Sequence, residues 1–124
     1  MIAYATIGVN DLDRARSFYD PVIGALGGKR TMAFERMQFY GGQGQSMLAI
    51  CKPYDEKPAT AGNGSMFGLP AASREAADAA HAAALAAGGT DEGAPGQRMD
   101  GFYGAYFRDL DGNKLCAFRV GPAD

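Results

Sequence analysis

Residues 102–120 read FYGAYFRDLDGNKLCAFRV. Two runs rich in aromatic and apolar residues, Phe102–Arg108 and Lys114–Val120, flank a short run of Asp, Gly and Asn. Such runs on either side of turn-forming residues are typical of a β-hairpin. The stretch therefore predicts two antiparallel strands joined by a turn at Asp109–Asn113.

The register of this hairpin assigns its side chains to two faces. A turn over Asp109–Asn113 places Tyr106 opposite Cys116, and side chains directly opposite each other share a face. One face therefore carries Tyr106, Cys116 and Phe118 and is predicted to look into a cavity. The other face is small and apolar and suits packing beneath a helix; it carries Ala105, Phe107, Leu115 and Ala117.

The start of the chain predicts a strand followed by a helix. Met1–Val9 alternates like a strand, and apolar residues from Leu12 onward recur at helical spacing. Pro21 lies inside this helical pattern, and a proline in a helix interior costs about 3 kcal/mol. We therefore expect a break at Pro21, with Asp20 capping a second short helix that ends at the double glycine 27–28.

Three short strands are expected next, at Arg30–Arg36, Met37–Tyr40 and Ser46–Lys52. Gly41–Gly44 is a turn signal between the last two of them. The polar segment Pro53–Gly64 predicts a loop that links two halves of the chain.

The second half repeats this order. Ser65–Ala71 predicts a strand, and Ser73 is a suitable N-cap for a helix that runs to Ala87. Thr90–Asp100 contains Gly and Pro and predicts a loop or a broken short strand. The hairpin completes the unit.

This repetition indicates an internal duplication. The double glycines 27–28 and 88–89 each follow a helix that follows a strand, and they lie about half a chain length apart. We expect one domain over residues 1–124, with repeat modules at about 1–55 and 62–122.

Size and composition narrow the class of protein. The chain has 124 residues, a formal net charge of −2 and 47% hydrophobic residues, which is typical of one globular domain. It has no basic stripe and no long apolar run, so we expect neither nucleic acid nor membrane as a partner. Two cysteines, Cys51 and Cys116, are too few for a disulfide framework, and a cytoplasmic location is expected.

The chain as a whole resembles the vicinal oxygen chelate superfamily, which contains glyoxalases, bleomycin resistance proteins and extradiol dioxygenases. The motifs that carry the resemblance are the opening strand, Val9 with Asp11-Leu12, Ser17-Phe18-Tyr19, Leu26-Gly27, Gly88-Gly89 and Arg108–Asn113. The resemblance implies an α+β fold of two tandem βαβββ modules, whose eight strands form an incomplete barrel around a cavity with the helices outside.

In metal-using members of this superfamily, the ligands come from the first and last strands of each module. Carried over to this chain, the ligand positions fall on Tyr4, Leu48 or Ala49, Gly64 or Ser65, and Cys116. A divalent ion needs two or three converging donors, and this set does not supply them. We therefore expect no catalytic metal and no other cofactor.

Six residues are candidates for contact with a ligand. Tyr4, Thr6, Tyr106 and Cys116 are expected to line the cavity, and Arg98 and Tyr103 to lie near its mouth. Tyrosine rings stack flat ligands and their hydroxyls orient them. Each of these residues also has a plain structural interpretation, as a strand aromatic, a small buried thiol or a solvated loop charge. The one histidine, His81, is expected in the outer helix layer.

Three functions fit these features. The first is a metal-free protein that binds a small organic molecule, as drug-resistance members of the superfamily do. The second is a lyase, isomerase or dioxygenase-like enzyme that works with cavity Tyr and Arg, and the third is an inert interaction module. A homodimer is expected because open barrels leave strand edges exposed.

Overall fold

The computed structural model describes residues 1–42 and 44–123, so Gln43 of the predicted turn and Asp124 of the predicted domain lie outside the described residues. In the described part, two helices and eight strands follow the order β-α-β-β-β twice. The first unit comprises β1 Tyr4–Gly8, α1 Leu12–Ala25, β2 Lys29–Phe34, β3 Met37–Gly41 and β4 Met47–Cys51. The second comprises β5 Phe67–Pro70, α2 Arg74–Ala86, β6 Thr90–Met99, β7 Phe102–Arg108 and β8 Lys114–Val120.

Each unit folds into one four-stranded sheet. The N-terminal sheet has the order β1-β4-β3-β2 and the C-terminal sheet has the equivalent order β5-β8-β7-β6. In both, the first strand runs parallel to the last, and the remaining pairs are antiparallel. The two sheets do not close on each other, so they form an incomplete barrel, as predicted.

The predicted register of the β7–β8 hairpin is confirmed. Tyr106 pairs with Cys116, Gly104 with Phe118 and Arg108 with Lys114. The face predicted to pack beneath a helix is completely buried and lies against α2; it consists of Ala105, Phe107, Leu115 and Ala117.

One hydrophobic core joins the two units. It takes side chains from both helices and from the helix-facing side of both sheets. Phe18 of α1 is completely buried, and its ring centroid lies 6.4 Å from that of Phe107 in the other unit. Alanines on α2 let the helix approach its sheet closely; Ala77, Ala80 and Ala84 are completely buried.

The predicted helix break at Pro21 is wrong, because α1 continues through the proline to Ala25. Pro21 and Ser17, whose carbonyl loses its hydrogen-bond partner, both lie on the exposed side of the helix, where water can replace that bond. Val22 and Ile23, which follow the proline, are buried in the core. Their burial stabilises the continuous helix against the local cost of the proline.

Asp20 does not cap a second helix, since its carboxylate is held by side chains of the N-terminal sheet. Arg30 donates two hydrogen bonds to it, at 2.9 and 2.7 Å, and the Tyr40 hydroxyl donates a third at 2.7 Å. The hydrogen bonds from Arg30 lower the pKa of Asp20 more than burial raises it. This cluster fixes the C-terminal half of α1 against β2 and β3.

The segment predicted as a loop or short broken strand forms the ten-residue strand β6. Its pairing with β7 is interrupted by register shifts next to Gly93 and Gly96. The glycines and Pro95 weaken the strand locally, as the sequence indicates, but the edge of β7 supplies a partner along its whole length.

In the N-terminal sheet, β2 ends at Phe34, earlier than predicted, because Glu35 and Arg36 form the tight turn into β3.

Ser73 caps α2 as predicted, since its hydroxyl accepts a hydrogen bond from the Ala76 amide at 3.0 Å. His81 lies on α2 and is buried, with its Nε2 3.0 Å from Asp91 and its ring against Phe107.

Neither described helix is long and apolar enough to span a membrane.

The turn after β7 is organised by one buried carboxylate. Oδ1 of Asp109 accepts hydrogen bonds from the amides of Asp111 and Asn113, each at 2.9 Å. Oδ2 accepts from the Asn113 side chain at 2.9 Å and from the Tyr19 hydroxyl at 2.6 Å. Asp109, Asn113 and Tyr19 are all buried, so these groups satisfy one another where water is excluded.

The same turn ties the two units together. Asn113 also donates to the carbonyl of Gly8 at 2.9 Å, and Asp111 accepts from the amide and side chain of Asn10. Tyr19 reaches the turn from α1. The residues that the sequence indicates as turn formers therefore also fix the β1–α1 junction.

We predict that Tyr19→Phe lowers the free energy of unfolding by about 1–3 kcal/mol, because it removes one of the two donors to Oδ2 of a buried carboxylate. Burial and the nearby Asp109 raise the pKa of Tyr19 well above its usual 10.0. The folded protein therefore holds the phenol proton more tightly, and this part of the stability is lost as pH rises above 10.0. Urea denaturation at neutral and alkaline pH measures both effects.

Tyr54→Phe is the matched control, since Tyr54 is 86% exposed. It should leave the unfolding free energy within about 0.5 kcal/mol of the parent. The variant Tyr19→Phe should also lose less stability than the parent above pH 10.0. Equal stability of the two variants would contradict the role given to the Tyr19–Asp109 bond.

Candidate ligand-binding site

Each sheet has one face packed against the helices and one face turned away from them, which we call its inner face. On the C-terminal sheet, the pairing places residues of four strands in a row across the inner face. This row runs from β5 to β6 and consists of Gly68, Cys116, Tyr106 and Gly93. The hairpin pattern in the sequence predicts that Tyr106 and Cys116 are neighbours on one face, and the structure pairs them there.

Small residues keep the floor of this face low. A Cβ atom on Gly68 would lie 3.1 Å from the Phe118 ring, and one on Gly104 would lie 3.2 Å from the Tyr106 ring. A larger side chain at either position would have to displace an aromatic ring. The rings therefore lie directly over the backbone of these glycines, and their faces form a surface on which a flat molecule can lie.

Tyr106 stands on this floor with two cations near its ring. The guanidinium carbon of Arg98 lies 5.3 Å from the ring centroid, and Nζ of Lys114 lies 5.7 Å from it. Both distances are within the range of cation–π attraction. Burial, and then the neighbouring Cys116, raise the pKa of Tyr106, so its hydroxyl stays neutral at physiological pH.

Cys116 is buried beneath Tyr106. Burial raises its pKa, and the hydrogen bond from Tyr106 and the charges of Arg98 and Lys114 offset this only in part. Because the thiolate is the reactive and metal-binding form, a raised pKa makes this thiol a poor nucleophile and a poor ligand at neutral pH.

Arg98 reaches the face from the irregular strand β6. Its guanidinium donates to the carbonyl of Ala94 at 2.5 Å, which holds the side chain back over its own strand and towards Tyr106. The structure thus places Arg98 beside the predicted cavity residues Tyr106 and Cys116.

Tyr103 does not lie with them. It shares the helix-facing side of β7 with Ala105 and Phe107, and its hydroxyl donates to Asp78 of α2 at 2.5 Å. The guanidinium of Arg74 lies over its ring. Successive side chains of a strand point to opposite faces, so the sequence already indicated that Tyr103 and Tyr106 lie on different faces of β7.

Tyr4 and Thr6 lie on the N-terminal sheet. Tyr4 is 57% exposed, and its ring lies 5.7 Å from that of Phe39, which also contacts Phe34. The contacts of the described residues therefore divide the predicted site into two clusters, one on each sheet. The sequence pattern did not reveal the aromatic partners Phe34 and Phe39. For Phe34 the reason is a register shift between Arg30 and Ala33, which interrupts the alternation of side chains along β2.

A cleft opens beside each cluster. One, of about 610 Å³, lies between residues 61–66 and the side chains of Arg108 and Lys114. The other, of about 1070 Å³, lies between residues 34–37 and 52–58. Lys114 borders the first cleft and also the Tyr106 ring, so this cleft continues the inner face of the C-terminal sheet.

The residues at the ligand positions implied by the fold do not fit a divalent metal ion. Leu48 and Ala49 have no donor atom, and Gly64 and Ser65 precede β5 instead of lying in it. Tyr4 and Cys116 supply one phenol and one thiol, and burial holds Cys116 in its neutral form. This donor set lacks the carboxylates and imidazoles that hold such ions.

Comparison with known families identifies the fold. The model of the glyoxalase/bleomycin resistance protein/dioxygenase superfamily matches residues 1–117. The chain therefore belongs to this superfamily. A comparison with curated proteins gave no match.

Solved structures agree with this assignment. The chain is similar to a glyoxalase/bleomycin resistance protein from Albidiferax ferrireducens, with 43% identity and a TM-score of 0.91 over 98% of this chain and 99% of that one. It is also similar to a superfamily enzyme from Burkholderia phytofirmans, with 20% identity and a TM-score of 0.76 over 96% and 98% of the two chains. For a lactoylglutathione lyase from Agrobacterium tumefaciens the identity is 21% and the TM-score 0.68, over 95% and 92%. The last two similarities show a shared fold alone.

Proposed function

We propose that this protein binds a small organic molecule on the inner faces of its sheets and does so without a catalytic metal. Binding of this kind suits sequestration of a toxic compound. The relative from Albidiferax ferrireducens, described as a glyoxalase/bleomycin resistance protein, is consistent with the same class.

The observation that carries the proposal is the contrast between the two faces of the C-terminal sheet. The helix-facing side is closely packed, with Phe107 and Leu115 completely buried. The inner face instead combines a glycine floor with a half-buried Tyr106 and an adjoining cleft. Concave sites with aromatic walls and few polar groups are typical of small-molecule binding.

The alternative of an enzyme that uses cavity Tyr as acid or base receives less support. A general base needs a pKa near the working pH, and the pKa values of Tyr106 and Cys116 are both raised away from it. The alternative of an inert module does not account for the open inner face. We propose that no catalytic metal takes part, because the residues at the implied ligand positions lack suitable donor atoms.

We predict that a thermal-shift screen of aromatic metabolites and antibiotics in the presence of EDTA yields compounds that raise the melting temperature. A ligand that binds only the folded form adds about 2.7 kcal/mol of stability at a concentration of about 100 Kd. For a domain of this size such a gain raises the melting temperature by several degrees. Tyr106→Ala should reduce the shift, with each variant compared with its own ligand-free form.

Leu85→Ala, which shortens an exposed apolar side chain on α2 outside both clefts, should keep the full shift. A screen without any stabilising compound, or stabilisation that EDTA abolishes, would contradict metal-free binding. Stabilisation that survives Tyr106→Ala would place the site elsewhere.

We also propose a homodimer in the cytoplasm. Three large apolar side chains, Tyr4, Met32 and Phe34, are 57%, 45% and 57% exposed on the N-terminal sheet. The edge strand β2 is exposed along its whole length. Exposed apolar side chains beside an open strand edge favour pairing with another chain, and a two-fold dimer is the commonest closed assembly. The free thiols of Cys51 and Cys116 suit a reducing compartment.

We predict that sedimentation velocity shows a dimer at micromolar concentration and that Phe34→Asp shifts it towards monomer. A carboxylate in an apolar interface is left without a partner, and its burial costs several kcal/mol. Leu85→Asp introduces the same charge at an exposed apolar residue on α2, away from the N-terminal sheet, and should leave the dimer intact. A parent protein that sediments as a monomer at every concentration would contradict the proposal.

A further inference from the structure

The charges on the inner face of the C-terminal sheet are unbalanced. Arg108 is paired with Glu92 at 2.8 Å. Among residues 1–42 and 44–123, neither Arg98 nor Lys114 has a carboxylate at ion-pair distance. The sequence as a whole carries a net charge of −2, so this local excess of positive charge runs against the overall composition.

Both of these cations lie near the same ring. Arg98 and Lys114 are each within 6 Å of the Tyr106 ring centroid and belong to different strands, β6 and β8. Cations that share one ring repel each other, and an anion between or beside them would relieve this repulsion. Lys114 also lines the cleft of about 610 Å³, which gives a group beside these cations access from solvent.

The surroundings of these cations also favour an aromatic body attached to the anion. Phe102 and Phe118 stack on the same sheet, with centroids 5.7 Å apart and planes at 15°. Phe118 lies on the same face as Cys116, two residues further along β8. An aromatic wall beside two cations matches a flat molecule with one acidic group.

We infer that Arg98 and Lys114 bind the anionic group of a small aromatic acid, whose ring lies against Tyr106 and the stacked pair of Phe102 and Phe118. This inference rests on the proposed function, because it names the chemical class of the ligand. A carboxylate, sulfonate or phosphonate would each satisfy the two cations.

Two dyes of nearly the same shape test this inference. 8-Anilinonaphthalene-1-sulfonate carries an anionic group, and N-phenyl-1-naphthylamine has the same aromatic system without it. Both fluoresce more strongly in an apolar site. Fluorescence titration gives the dissociation constant of each dye for the parent protein and for its variants.

Arg98→Met and Lys114→Met should each weaken binding of the sulfonate dye by about tenfold, which is the loss expected for one charge-assisted hydrogen bond. Binding of the neutral dye should change less than about twofold. Arg98→Lys, which keeps the charge, should restore part of the sulfonate affinity. Arg14→Met removes one charge from the exposed side of α1 and should affect neither dye.

The outcomes separate the two proposals. If both dyes bind and the sulfonate dye is unaffected by Arg98→Met and Lys114→Met, the anion site is wrong and small-molecule binding stands. If the variants weaken the binding of both dyes equally, the two cations maintain the shape of the site instead of binding the anionic group, and the inference is also wrong. If neither dye binds the folded parent, both proposals fail. Melting temperatures near that of the parent show that a variant is folded.

Discussion

The buried carboxylate of Asp109 is the constraint on which the rest of the structure depends. Its two oxygens accept from two backbone amides of its own turn, from Asn113 and from Tyr19 of the other unit. A carboxylate in this position is costly unless donors surround it, so the turn has one favourable conformation. That conformation sets the register of β7 and β8, and the bond to Tyr19 fixes the helix of the first unit against the second.

The register in turn determines what the inner face contains. Once the turn ends at Asn113, Tyr106 lies opposite Cys116, and Gly68 and Gly93 lie in the same row. The hydrophobic core then forms on the other side of the sheet, where Ala105 and Leu115 leave no space. The side chains of the inner face are therefore not needed to form this hydrophobic core. It can carry a buried neutral thiol, a tyrosine and two cations without cost to the packing.

Much of this arrangement follows from the sequence, because it depends on local rules. The Asp-Gly-Asn turn and strand alternation predict the hairpin register and the pair Tyr106 and Cys116, and Ser73 marks the start of α2. Local rules fail where tertiary contacts decide. Pro21 stays within α1 because the residues after it are buried, and β6 forms because β7 offers an edge. The division of the site between two sheets, and the charge excess at Arg98 and Lys114, depend on distances between strands that the sequence alone does not supply.

The central claim is that a small molecule binds on the inner face of the C-terminal sheet. Two-dimensional ¹H–¹⁵N NMR of the labelled protein, titrated with 8-anilinonaphthalene-1-sulfonate in the presence of EDTA, tests it most directly. We expect the largest shift changes at the amides of Gly68, Gly104, Tyr106 and Cys116, and small changes along the exposed side of α2. Changes confined to the helices, or none on β7 and β8 while the dye is bound, would contradict the claim.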